Sequence, residues 1–172
     1  MYIAERYWNC CIGERDDSYT LTTYLADKQK REIPLSEIFS DIGLDRLNGN
    51  FRQHEEPLTA VLRNIDSDYE EPYVEFYYAI DLIAALAAIL LECKVSGSVN
   101  LSDLSGDGAD ALDAEIRITA TPEEHRLLCS ALTDFAANPF AYDVSEMESE
   151  GDTLEAAAIC KTLCRELYGD NV

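Results

Sequence analysis

Apolar residues recur along this chain at two spacings, and each spacing predicts a kind of element. Leu35, Ile38, Phe39 and Ile42 follow at intervals of three, one and three, which is one stripe of a short helix. Ile33-Pro34 opens that helix and Gly43 closes it. Leu21, Tyr24 and Leu25 mark a second stripe behind Asp17-Ser18, predicting a helix over residues 19–29 with its N-cap there. Ala79 to Leu91 is apolar nearly all round, broken only by Asp81. A helix capped by Asp81 and running to Lys94, with no polar face to give to water, belongs at the centre of the fold. Thr121-Pro122-Glu123-Glu124 sets out a capping box with proline at N1, and that helix runs to Ala137, before Asn138-Pro139. Asp152-Thr153-Leu154-Glu155 reads as another box, opening a helix that ends at Tyr168-Gly169.

The period of two marks the strands. Ile116 and Ile118 alternate with Glu115 and Arg117 in a half-buried strand over 114–120. Leu58 to Leu62 and Tyr73 to Tyr78 are two more, and the polar run Asp66 to Pro72 between them reads as a hairpin loop. Tyr2 to Ile12, rich in aromatic and β-branched residues and closed by Gly13, also reads as a strand, and Phe140 to Val144 as a last strand or extended segment. Strands and helices mix without a β-α-β repeat. The order predicts an α+β fold, a mainly antiparallel sheet packed with about five helices, in a single domain over residues 1–172.

Charge changes this picture more than composition does. Lys and Arg total 13 against 34 Asp and Glu, a net charge of −21 on 172 residues. The imbalance is graded: −3 over residues 1–50, −6 over 51–100 and −12 over 101–172. The windows Asp103–Glu115 and Asp143–Glu155 hold no Lys or Arg. Such a balance excludes a direct nucleic-acid binder, which needs a basic footprint. The 10 Tyr and 5 Phe exclude a disordered acidic tail. Solubility alone asks a small domain for a net charge of only about 2–8. A larger excess disfavours the compact state by self-repulsion, so its retention points to a positively charged partner. The longest apolar stretch is too short to span a bilayer, which takes about 20 residues, so no membrane role is expected. The N-terminus has no signal-peptide pattern, and cysteines at 10, 11, 93, 129, 160 and 164 read as reduced, mostly buried thiols in a cytosolic protein.

The chemical motifs are weak beside their structural explanations. Asp103, Ser105, Asp107 and Gly108 imitate the start of a calcium loop, but its twelfth position is Ala114, with Glu115 one residue late. An acidic turn explains it better. Cys160 and Cys164 share a helix face and resemble half a zinc site, yet no CxxC spacing accompanies them. His125 and Cys129 stand at i and i+4 without an oxyanion or substrate feature. The expectation is therefore no catalysis, no metal and no cofactor.

What remains is a surface for a protein. Asp66, Asp68, Tyr69, Glu70 and Glu71 in the hairpin loop, with Tyr142, Asp143, Glu146, Glu148 and Glu150 in the second acidic segment, combine carboxylates with tyrosines. Tyrosine gives contact area at low entropy cost, which suits a basic partner. A small, acidic α+β chain with these segments resembles the immunity proteins of bacterial toxin systems, including contact-dependent inhibition and Rhs types. The resemblance implies a cognate toxin, often a basic nuclease, as the partner. Two other readings stay open: an acidic DNA mimic occupying a nucleic-acid binder, and a small enzyme or regulatory domain without a recognisable motif.

Overall fold

The computed structural model describes residues 1–64, 72–105 and 114–169. Its helices are α1 (Asp16–Asp27), α2 (Leu35–Ile42), α3 (Ala79–Ser96), α4 (Pro122–Ala137) and α5 (Glu150–Tyr168). Its strands are β1 (Glu32–Pro34), β2 (Leu58–Val61), β3 (Tyr73–Phe76), β4 (Val99–Asn100) and β5 (Glu115–Thr119). The fold is α+β, as the pattern predicts, but the strands divide between two small sheets. β2 and β3 form an antiparallel hairpin in the register Leu58↔Phe76 to Val61↔Tyr73. β5 lies between β1, which it pairs in parallel, and β4, which it pairs antiparallel.

The all-apolar helix sits where its composition requires. Every α3 residue from Ala79 to Cys93 is buried, and α1, α4, α5 and β5 all pack on it. Leu86 is fully enclosed. Leu86→Ala removes apolar area and leaves a cavity, so it is expected to cost about 2–5 kcal/mol, read as a fall in the urea unfolding midpoint. The buried polar groups of α3 are spoken for. Asp81 does not cap the helix: Tyr78 holds the N-cap position, and Asp81 lies in the first turn against Arg15, 2.8 Å away. Near the other end, Glu92 accepts the Ile3 amide at 2.9 Å and the Ser96 hydroxyl at 2.6 Å, tying the N-terminus to the core.

That N-terminus is helical, not a strand. Ile3, Tyr7, Trp8 and Ile12 are the buried residues, at intervals of four, one and four, a helical spacing that outweighs their β propensity. Ala4–Trp8 forms a π turn, with the Trp8 amide bonded to the Ile3 carbonyl at 3.0 Å. Trp8 lies so close over Gly13 that a Cβ there would clash with the indole, and its Nε1 donates to the Leu104 carbonyl at 2.8 Å. Other boundaries shift locally. α1 starts at Asp16, ahead of the predicted cap, because Ser18 turns inward to the Ile12 carbonyl. Ile33-Pro34 belongs to β1, and α2 begins after it at Leu35. α2 ends at Gly43 in the left-handed conformation, φ 92°, as the closing glycine requires. The Thr121–Glu124 capping box forms as read. α5 begins earlier than predicted, because Ser149 accepts the Asp152 amide and takes the N-cap role. Phe140 to Val144 is not a strand: Pro139–Ala141 and Asp143–Glu146 are two 3-10 turns leading into α5.

Candidate functional site

The sequence marks two acidic segments as a binding surface. Asp66, Asp68, Tyr69, Glu70 and Glu71 lie outside the described residues. Their flanks, Asn64 and Pro72, stand at the Val61–Tyr73 end of the hairpin, away from Tyr77 and Tyr78. The second segment is described in full, and two long-range anchors shape it.

The first anchor is Asp134 on α4. Its carboxylate receives the Arg52 guanidinium through Nε at 2.9 Å and Nη2 at 2.7 Å, the Tyr142 hydroxyl at 2.8 Å and the Asn138 amide at 3.1 Å. Arg52, foremost among these donors, holds Asp134 down to a pKa of about 2. The Arg52 carbonyl accepts the Asp143 amide at 2.9 Å. The second anchor is Arg15, whose guanidinium bridges Asp81 at 2.8 Å and Glu148 at 2.6 Å, with only 16% of its side chain exposed. Residues 139–150 thus form a strap, fastened at Tyr142–Asp143 and again at Glu148. Between the fastenings Glu146 and Met147 face solvent, and Glu150 does so just past them at the start of α5.

These anchors sort the predicted residues. Tyr142 is buried, 3% exposed, with its ring edge-on to Phe135 at 4.9 Å, so it holds the strap and does not offer a contact. Glu148 is turned to Arg15. Asp143 is half-buried, and burial pushes its carboxyl up while its own turn and His54 oppose the shift. Glu146 and Glu150 are the exposed carboxylates. The apolar residues on this unit escape the sequence reading: Met147 is 76% exposed, Phe140 54% and Leu154 49%. The pattern held a signal, since Met147 is the one apolar residue in the acidic run from Ser145 to Asp152.

The strap adjoins a second polar patch. Asp17 on α1 accepts the amides of Tyr77 at 2.9 Å and Tyr78 at 2.7 Å, fixing the turn from β3 into α3. His54 bonds the Tyr77 carbonyl at 3.0 Å. Burial first, and then the carboxylates of Asp143, Asp81, Asp17 and Glu148, hold the Tyr78 hydroxyl above its ordinary value. The carboxylates of the strap, α1 and α3 therefore share one neighbourhood. Tyr77 stands out from its edge, 60% exposed. Of these groups Asp17 and Asp81 are buried, so the carboxylates open to solvent are those of Glu146 and Glu150 on the strap and the start of α5.

The weaker motifs gain nothing. The calcium-like loop runs beyond the described residues after Ser105. No group of His, Cys, Asp and Glu among the described residues is placed to hold a metal. Cys129 faces Cys164, Sγ to Sγ 3.5 Å, and burial pushes its thiol up to about 11. His125 turns to Tyr168 and makes no dyad with Cys129. No described helix is long and apolar enough to cross a membrane.

Compared with known proteins, the chain matches the family model described as Immunity protein 68 over residues 2–167. No curated protein and no solved structure matches it.

Proposed function

Because the chain belongs to the Immunity protein 68 family, whose members neutralise a cognate toxin, we propose that it does so by laying the 139–150 strap against a basic toxin domain. The observation that carries this reading is the strap itself. Glu146 and Met147 stand out in solvent between the Arg52–Asp134–Tyr142 anchor at the surface and the largely buried Arg15–Glu148 pair, on a ridge whose sequence from 143 to 155 has no Lys or Arg. Pre-anchoring lowers the ordering cost of a contact. A nuclease is the toxin class whose substrate groove must be basic, so it is the partner best matched to a net charge of −21. In this reading the chain is a non-catalytic, cytosolic inhibitor that needs no cofactor and acts by covering its partner. The 66–71 loop would add a second acidic contact.

Exposed charges at a rim act mainly on the association rate, through long-range attraction. Glu146→Lys with Glu150→Lys is expected to slow association with the cognate toxin at a cost to stability of no more than about 1 kcal/mol, from placing a cation in the first turn of α5, because neither side chain takes part in an ion pair among the described residues. Raising salt should slow the wild type in the same way, since exposed charges are screened beyond about 10 Å at 0.1 M. Surface-based kinetics at two salt concentrations reads both effects. Association that is indifferent to salt and to the double reversal would remove the acidic ridge from the interface.

A further inference from the structure

The molecule is not acidic everywhere. A basin of about 470 Å³ opens between the C-terminal ends of α3 and α5, strand β5 and the first turn of α4. Its polar lining is Lys94, Arg117, Thr119, His125 and Tyr168, over Ile118 and Leu167, and no carboxylate of the described residues lines it. That is a marked departure for a chain with 34 acidic residues.

The surrounding carboxylates are turned elsewhere. Glu124 accepts the Thr121 amide at 2.6 Å within the α4 capping box. Glu166 takes the Tyr2 hydroxyl at 2.8 Å and Arg6 at 2.9 Å. Glu92 is occupied by the Ile3 amide and Ser96. Glu32, the register partner of Arg117 on β1, makes no ion pair with it among the described residues. Among the described residues neither Lys94 nor Arg117 is paired with a carboxylate. Lys94 Nζ donates to the carbonyls of Leu167 at 2.7 Å and Glu166 at 3.4 Å, which fixes the ammonium at the rim and leaves one of its three N–H groups over. The His125 ring stands edge-on to Tyr168 at 5.5 Å, giving a wall with a ring nitrogen and a hydroxyl. The volume lies in the range of small-molecule sites, about 300–1,000 Å³.

We propose that this basin binds the phosphate group of a small molecule, with Arg117 and Lys94 supplying charge-assisted hydrogen bonds and the His125–Tyr168 wall bounding the ligand. The site lies apart from the strap and does not depend on the toxin reading. Arg117 is the residue to test, because its side chain supports no helix end, whereas Lys94 satisfies the last carbonyls of α5.

The experiment is isothermal titration of the full chain, without toxin, by inorganic phosphate and by adenosine monophosphate at low ionic strength. Wild type, Arg117→Gln and Lys161→Gln are compared, Lys161 being a cation outside the basin. The wild type should bind at least one of the two ligands. Arg117→Gln should weaken binding roughly tenfold, the size of one charge-assisted hydrogen bond, and Lys161→Gln should leave it unchanged. Tighter binding of the nucleotide would assign the wall to its base or sugar, and equal binding would assign the basin to the phosphate alone. No binding of either ligand, binding untouched by Arg117→Gln, or an equal loss in Lys161→Gln would overturn the proposal. None of these failures bears on toxin neutralisation.

Discussion

Replacing Arg15 with Met is expected to destabilise the protein by about 3–5 kcal/mol, the cost of breaking a buried ion pair from one side. Arg15 is the one cation between Asp81 and Glu148, and the side chain of Asp81 is only 9% exposed. Without Arg15 the Asp81 carboxylate is left in the α3 end of the core with no counter-charge. The loss should depend on pH with a definite sign. In the wild type, burial lifts Asp81 to a pKa of about 7 against the pull of Arg15. The folded state then holds a proton that the unfolded chain releases from about pH 4 upward, so the stability this group contributes is full below about pH 4 and is lost as pH rises through 7. Removing Arg15 lifts the carboxyl further and extends that loss to higher pH. The deficit of Arg15→Met should therefore widen from pH 6 to about pH 8, and Asp81→Asn in the same chain should remove most of the widening. Urea midpoints at the two pH values read it. A deficit below about 1 kcal/mol at both would mean that Arg15 pairs as a surface residue does.

Met147→Ala is expected to speed dissociation of the cognate toxin, by about 2 kcal/mol or more of binding free energy, with little change in association. Met147 is the most exposed large apolar side chain among the described residues, at 76%, in a run of carboxylates and serines. Held in place from both sides, it can enter a recess on the partner without first being ordered. The carboxylates beside it would exclude water at the rim and guide the approach. Folding should be little changed, since Met147 is 76% exposed. Dissociation kinetics separate this effect from the charge reversals, which act on the other rate.

Elements with local causes were legible in the sequence. The α2 stripe with Gly43, the all-apolar α3, the Thr121–Glu124 box of α4 and the β2–β3 hairpin each carry their reason within a few residues. At the N-terminus residue type and spacing point to different elements: Ile3, Tyr7, Trp8 and Ile12 are strand-forming types but repeat as helix residues, and the spacing prevails. The acidic segment at 143–150 was legible as charge, and its shape was not. Arg52 and Asp134 lie 82 residues apart, and in a chain with so many carboxylates nothing marks which one a given arginine will meet. Tyr142 shows the consequence, since a tyrosine beside acids suits an exposed contact or a buried anchor equally, and only Phe135 and Asp134 decide it.

The most direct test of the strap as the toxin-binding element is amide hydrogen exchange on the full chain, alone and bound to its cognate toxin. Binding through this surface should slow exchange over residues 139–150 and at Tyr77, while the basin beside Arg117 exchanges at its free rate. Protection confined to β5 and the α4 start, with the strap unchanged in the complex, would contradict it.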